Sequence, residues 1–286
     1  MFRDFIYLDI NRVQSIIAQL QEGLLNEVLE GKTSQTSGKM QIATNLLTML
    51  LPVNVSGSAE HSRGSSLNES RVLHDYAFEV ARLSLDEGGL LLERDDLDRD
   101  EVPEGGFVLI RGAAQILDYE SLRRIAENID RLDGFFYPND TQAQKKKRRK
   151  ENTLLRESSV LIETFFKNVM RVKVINGLGC SFVGPLNREH LREDIHGLIY
   201  KHGSVPKGKW AMLAEISRVP SPNEDPEESF GDTMEQPNEE AEDSVSNQID
   251  QVVTIFNGFQ EFVGSVSYPD IAVSPIAVYR EIEGLE

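Results

Sequence analysis

Asp9 ends a run of aromatic and β-branched residues, Phe2 to Leu8, and stands before a helical pattern. Ligands of α/β folds gather at the carboxyl ends of strands, so Asp9 is a candidate ligand-site residue. The plainer reading makes it the N-cap of the helix that follows. Ser15 and Gln19 lie one helical turn further on. They either extend Asp9 into a polar stripe or face solvent. The second candidate is the unbroken basic run Lys145, Lys146, Lys147, Arg148, Arg149 and Lys150. Clustered cations neutralise phosphates, or pair with an acidic partner. No aromatic residue interrupts this run to stack on bases, so a solvated linker is the competing reading.

Other groupings carry less. His74 and Asp75 are adjacent, and adjacent helical positions point about 100° apart, so they cannot clasp one ion. Gly177-Leu178-Gly179 is half of a dinucleotide fingerprint, with Phe182 where its third glycine belongs, and it leads into a strand rather than a helix. It reads as a β-turn. His190, His196 and His202 recur every six residues, out of phase on a helix. Cys180 is the only cysteine, which excludes an intrachain disulfide framework or a cysteine-rich zinc site. No metal site, cofactor or catalytic set is expected, and whether the chain is an enzyme stays open.

The elements that must position these residues follow from pattern. A strand, Phe2 to Leu8, runs into a helix carrying Ile10, Val13, Ile16, Ile17, Leu20 and Leu24. Further helices are expected over 40–51 and 67–85. A strand is expected over 107–117, with Gly112 at a bulge, then a helix 119–132 capped by Asp118. Beyond the basic run come a helix 153–168, strands 169–175 and 180–186, and a helix capped by Asn187. The strand 209–216 would complete a β–α–β unit. A helix 249–263 and a strand 271–283 close the chain, Pro275 placing that strand at an edge or bulge.

The 286 residues suffice for two modules. The expected fold class is α/β, with α+β as the alternative. The expected modules are 1–137 and 153–286, joined by a basic linker at 138–152. The formal net charge is −17, and ten carboxylates fall between Ser221 and Ser244. That tract, within 219–246, contains four prolines and little apolar material, and is expected to be a disordered insertion. No apolar stretch reaches the roughly 18–20 residues of a membrane span, and the opening residues do not read as a secretory signal. A cytoplasmic location without membrane association is therefore expected.

The opening Phe5-Ile6-Tyr7-Leu8-Asp9, with Val13 and Ser15 to Leu20, resembles the start of a prokaryotic domain-of-unknown-function family numbered 6414. The stretch Phe107 to Leu122, with Gly112 and Asp118-Tyr119, and the unit Phe182 to Ile216 are also similar to it. The resemblance spans nearly the whole chain apart from the basic and acidic segments. It implies a prokaryotic origin and no reaction, cofactor or catalytic residue. The leading expectation is a non-enzymatic interaction or regulatory protein with a protein partner. Two alternatives stand beside it: an enzyme or nucleotide-binding protein with a site near Asp9, and weak nucleic-acid association through the basic run.

Overall fold

Alternating apolar residues separated by turns dictate strands, and strands longer than their partners must curve or share neighbours. The computed structural model describes residues 2–29, 63–222 and 265–282, with side chains over 2–20, 72–222 and 265–282. The strands are β1 (Phe2–Leu8), β2 (Leu91–Glu93), β3 (Phe107–Asp118), β4 (Met170–Ile175), β5 (Ser181–Leu186), β6 (Trp210–Arg218) and β7 (Ile271–Ile282). The helices are α1 (Ile10–Leu29), α2 (Arg63–Glu87), α3 (Tyr119–Glu127), α4 (Ile129–Phe136), α5 (Gln142–Glu151), α6 (Thr153–Phe165) and α7 (Ile195–His202). The fold is mixed α/β, as expected. Among the described residues, no helix is long and apolar enough to cross a membrane.

Five strands close on themselves. β3 pairs with β4, β4 with β5, β5 with β7, β7 with β6, and β6 returns to β3. Only the β5–β7 contact in this ring is parallel. β3 makes this possible by its length: Phe107 to Gly112 pair with β6, and Ala113 to Asp118 with β4. β7 is shared likewise. Ile271 and Ala272 pair with β5, while Ala277 to Ile282 take β1. Inside the ring Val108, Ile110, Met170, Val172, Val174, Phe182, Trp210 and Met212 form one core, with Ile195 and Leu198 of α7 packed into it.

Two glycines sit at the seams. A Cβ on Gly112 would collide with the Ile175 carbonyl, and one on Gly184 with the Val273 carbonyl and Pro275. Gly112 is thus a point of close backbone approach. The irregularity expected at Pro275 is present. Leu213 faces Ala277 and Ala214 faces Pro275, leaving Ile276 as an extra residue.

A second core lies outside the ring. Val13, Ile16 and Ile17 of α1, and Ala77, Phe78, Ala81 and Leu85 of α2, cover Phe5, Leu109, Leu213 and Tyr279 on β1, β3, β6 and β7. Tyr279 is fully buried here, and its hydroxyl has no hydrogen-bond partner among the described residues. Burial pushes its phenol up to about 12, with Arg3 opposing. The unfolded chain ionises this phenol near 10. Its contribution to stability is therefore whole below about pH 10 and is lost as pH rises through about 12. Tyr279→Phe removes an unpartnered hydroxyl, so thermal unfolding at pH 7 should show no loss, or a gain of up to about 1 kcal/mol. Between about pH 10 and 12 the variant should lose less stability than the parent. A variant that melts well below the parent at pH 7 would show that the hydroxyl has a partner.

Several expectations meet a different arrangement. Strands on both sides of the expected boundary pair in one sheet: β3 with β4 and β6, and β1 with β7. Segment 138–152 is mostly helix α5, not a linker. β5 and β6 flank a helix yet do not pair, because β6 inserts between β3 and β7. Asn187 caps a single short turn, Arg188–His190, and Asp194 caps α7. The expected helix 119–132 breaks at Asn128 into α3 and α4. The helices expected at 40–51 and 249–263, and the acidic tract from 223 onward, lie outside the described residues.

Candidate functional site

A half-buried strand shows one set of alternate side chains to the core and the other to whatever lies above. On β4, Met170, Val172 and Val174 point inward, and Arg171, Lys173 and Ile175 outward. The helices α1 and α2 cover the outer face of β1, β7, β6 and the first half of β3. Among the described residues, the outer face of β3's second half, β4 and β5 lacks that layer. A hollow of about 270 Å³ lies there, lined by Gln115, Leu117, Arg171, Lys173, Val183 and Asp270. Lys173 Nζ meets both Asp270 oxygens, at 2.9 and 3.0 Å. Arg171 has no carboxylate partner among the described residues. Its guanidinium lies 5.2 Å from the Tyr119 ring centroid, and Tyr119 stacks on Phe166 at 4.5 Å and 11°. Burial raises the Tyr119 phenol, against the pull of Arg171.

A second hollow, of about 370 Å³, includes Tyr7, Asp9, Arg12, Met170, Pro185, Asn187 and Pro275 in its lining. Pro185 is the cross-strand partner of Arg171, so each hollow is lined by one member of this pair. The second one exists because β7 leaves β5 after Ala272 and takes up β1 only at Ala277. Pro275, with no N–H to give a ladder, sits in the resulting wedge.

Asp9 closes one end of this wedge. Its Oδ1 accepts the Arg12 amide at 3.1 Å, the bond of an N-cap, and lies 3.4 Å from His190 Nε2. Oδ2 has no partner among the described residues. Arg12 is ion-paired with Glu215. Tyr7 is buried, and desolvation followed by the Asp9 charge pushes its phenol up to about 12. Asn187 Oδ1 accepts the Glu189 amide at 3.1 Å, which leaves its NH2 group to point elsewhere.

The other residues singled out by sequence lie apart from this wedge. Ser15 and Gln19 lie on α1 away from both cores and bond to each other at 3.0 Å, exposed to solvent. The basic run forms α5, whose first turn is closed by Thr141 and Gln144 capping each other. Arg148 pairs with Asp140 at 2.7 Å and lies 3.5 Å from the Tyr137 ring centroid. Lys147 reaches Glu151 at 3.7 Å. Lys145, Lys146, Arg149 and Lys150 are in no ion pair among the described residues and lie on a helix that buries none of its side chains. The aromatic contact absent from the run itself is supplied by Tyr137, with Phe135 and Phe136 exposed just before it. Sequence reasoning does not single out Arg171, Lys173, Gln115, Tyr119 or Phe166. The only signal for Arg171 and Lys173 is the alternation along Met170 to Ile175. Among the described residues, no group of three His, Cys, Asp or Glu side chains could hold a metal ion.

A family model described as a domain of unknown function, DUF6414, matches residues 2–279. No curated protein and no solved structure matches the chain.

Proposed function

We propose that this chain, which belongs to the DUF6414 family, is a non-catalytic binding module that takes single-stranded nucleic acid on the open face of β3, β4 and β5. In chain order the ring strands are first β3, second β4, third β5, fourth β6 and fifth β7, and they close as 1-2-3-5-4-1. A helix, α7, lies between the third and fourth. This is the arrangement of oligonucleotide- and oligosaccharide-binding barrels. Their ligands lie on the second and third strands and against the loops joining strands one to two and four to five. A fold alone does not carry a function. The observation that carries this one is Arg171: a cation with no carboxylate partner among the described residues, beside buried Tyr119 and the half-buried Phe166 stacked on it, on the uncovered face of the second strand. Single-strand sites combine these two features, cations along the backbone and rings for the bases.

Charge distribution supports the reading. The connection from the first to the second strand holds α3 to α6, and residues 119–168 carry eleven Lys and Arg against eight Asp and Glu. This segment is net positive in a chain of −17. The test is fluorescence anisotropy of a labelled oligothymidylate of about 15 nucleotides, within the site sizes of such barrels, against a duplex of equal length, at low and physiological salt. The single strand should bind more tightly, and binding should weaken as salt rises. Arg171→Ala should weaken it roughly tenfold, the size of one stacking or charged contact, with the melting temperature nearly unchanged. Equal affinity for duplex, or no binding at low salt, would sink the reading.

A protein partner is a second reading, favoured by one observation. α4, α5 and α6 bury no residue, and Phe135, Phe136, Leu154, Val160 and Leu161 are exposed on them. Large apolar side chains left exposed on helices mark interaction sites where they gather.

A further inference from the structure

We infer that the wedge at Asp9 is a base pocket that selects guanine within the bound strand; this rests on the single-strand reading above. Pro185, which lines the pocket, is the cross-strand partner of Arg171 on the open face. A strand whose backbone passes Arg171 therefore has one nucleotide beside the wedge. About 370 Å³ falls within the range of small-ligand sites. Its lining includes the apolar residues Met170, Pro185 and Pro275, each on a different strand.

The polar groups give the selection. Asp9 presents an acceptor: Oδ1 is engaged by the Arg12 amide, and Oδ2 is without a partner among the described residues. An ionised carboxylate can only accept. Asn187 presents the opposite, because the Glu189 amide occupies its Oδ1 and leaves the NH2 to donate. The pocket thus offers an acceptor and a donor. Guanine's Watson–Crick edge carries two adjacent donors, N1–H and the 2-amino group, next to the O6 acceptor. The two donors meet Asp9, one at Oδ2 and one at the lone pair of Oδ1 that the Arg12 amide leaves, and O6 meets Asn187. Adenine and cytosine each set a ring-nitrogen acceptor beside their amino group, facing the carboxylate. Thymine flanks its one N–H with two carbonyl oxygens. Each of these leaves an acceptor against Asp9, and an unmatched polar group in a partly buried site is what makes edge recognition selective.

The experiment places one guanine in the labelled oligothymidylate, and in parallel one adenine or one hypoxanthine. With the parent protein, the guanine strand should bind roughly tenfold or more tighter than the adenine strand, the scale of a bidentate edge contact. Hypoxanthine, which lacks the 2-amino donor, should fall between them. Asp9→Asn keeps an N-cap of similar quality but turns the pocket-facing acceptor into a donor. It should bring the guanine-to-adenine ratio close to one, with an unchanged melting temperature. A parent that does not distinguish guanine from adenine overturns the pocket, as does a preference that survives Asp9→Asn. If no oligonucleotide binds at all, the single-strand reading fails. The pocket is then decided by guanosine monophosphate alone, followed on the Met170 methyl signal. A shift with guanosine but not adenosine monophosphate, lost in Asp9→Asn, supports it, and no shift with guanosine monophosphate overturns it.

Discussion

Gly112→Ala is expected to cost the protein at least about 3 kcal/mol, the upper range for forcing extra atoms into a packed interior. Over a domain of this size that lowers the melting temperature by roughly 6–12 °C. The reason is geometric. A Cβ at this position would lie inside the 3.0 Å that real Cβ atoms keep from other atoms, and the atoms it meets are the carbonyl of Ile175 and, at 3.1 Å, the Cα of Asn176. Both are backbone, so no side chain can swing aside. Gly112 is the last residue of β3 to pair with β6, and Ala113, the next, pairs with Ile175. Relief would require the end of β4 to lift from β3, opening the ring where its first strand passes between neighbours. The control is Gly134→Ala in α4. No atom lies within 4 Å of its Cβ position, and alanine is favoured over glycine in a helix by about 1 kcal/mol. That variant should melt at or above the parent. If Gly112→Ala unfolds with the parent, the β3–β4 seam is not closed as described.

Local structure is readable in the sequence because its causes are local. The aromatic and β-branched run Phe2 to Leu8 forms β1, and Asp9 caps α1 through the Arg12 amide. Asp118 reads as a cap and accepts from the Glu120 amide at 3.3 Å, with Ser121 Oγ donating to it at 2.6 Å. Pairing is not readable. Phe2 faces Ile282, and Phe107 faces Glu215, and nothing in a period-two pattern names a partner so distant in sequence. The basic run reads as a linker because six cations in a row suggest solvation. What closes it into a helix is the reciprocal cap of Thr141 and Gln144, at 2.8 Å from the Thr141 amide to Gln144 Oε1. The site divides the same way. Asp9 is legible as a carboxylate at a strand end. Arg171 and Lys173 look like any outward pair on a half-buried strand, and only the missing layer above them, a tertiary property, sets them apart. Ser15 and Gln19 are legible as neighbours, but the helix turns them away from the wedge.

Replacing Lys145, Lys146, Arg149 and Lys150 together by Gln is expected to weaken oligothymidylate binding by roughly 10- to 100-fold at low salt, while the fold is kept. The four side chains are in no ion pair among the described residues, on a helix that buries none of its side chains, so their replacement breaks no salt bridge among those residues. Gln is as good a helix former as Lys, and the Thr141–Gln144 cap is untouched. The structural cost is the favourable placement of cations near the C-terminus of α5, a few tenths of a kcal/mol at a solvated surface. Their role, if the strand follows the connection between the first two ring strands, is to displace counterions. For every phosphate that is no longer neutralised, the slope of log affinity against log salt should then fall by about 0.7 for a single strand. Removing all four cations would flatten that slope by roughly three, which separates a phosphate role from a general weakening of affinity. Arg148→Gln gives the contrast, because Arg148 holds Asp140 and covers the Tyr137 ring. Its replacement should loosen the α4–α5 turn and lower the melting temperature slightly, while changing the salt slope by less than about 0.7. A fourfold variant that binds with the parent's affinity and salt slope would remove α5 from the binding surface and leave Arg171 and Lys173 to account for it alone.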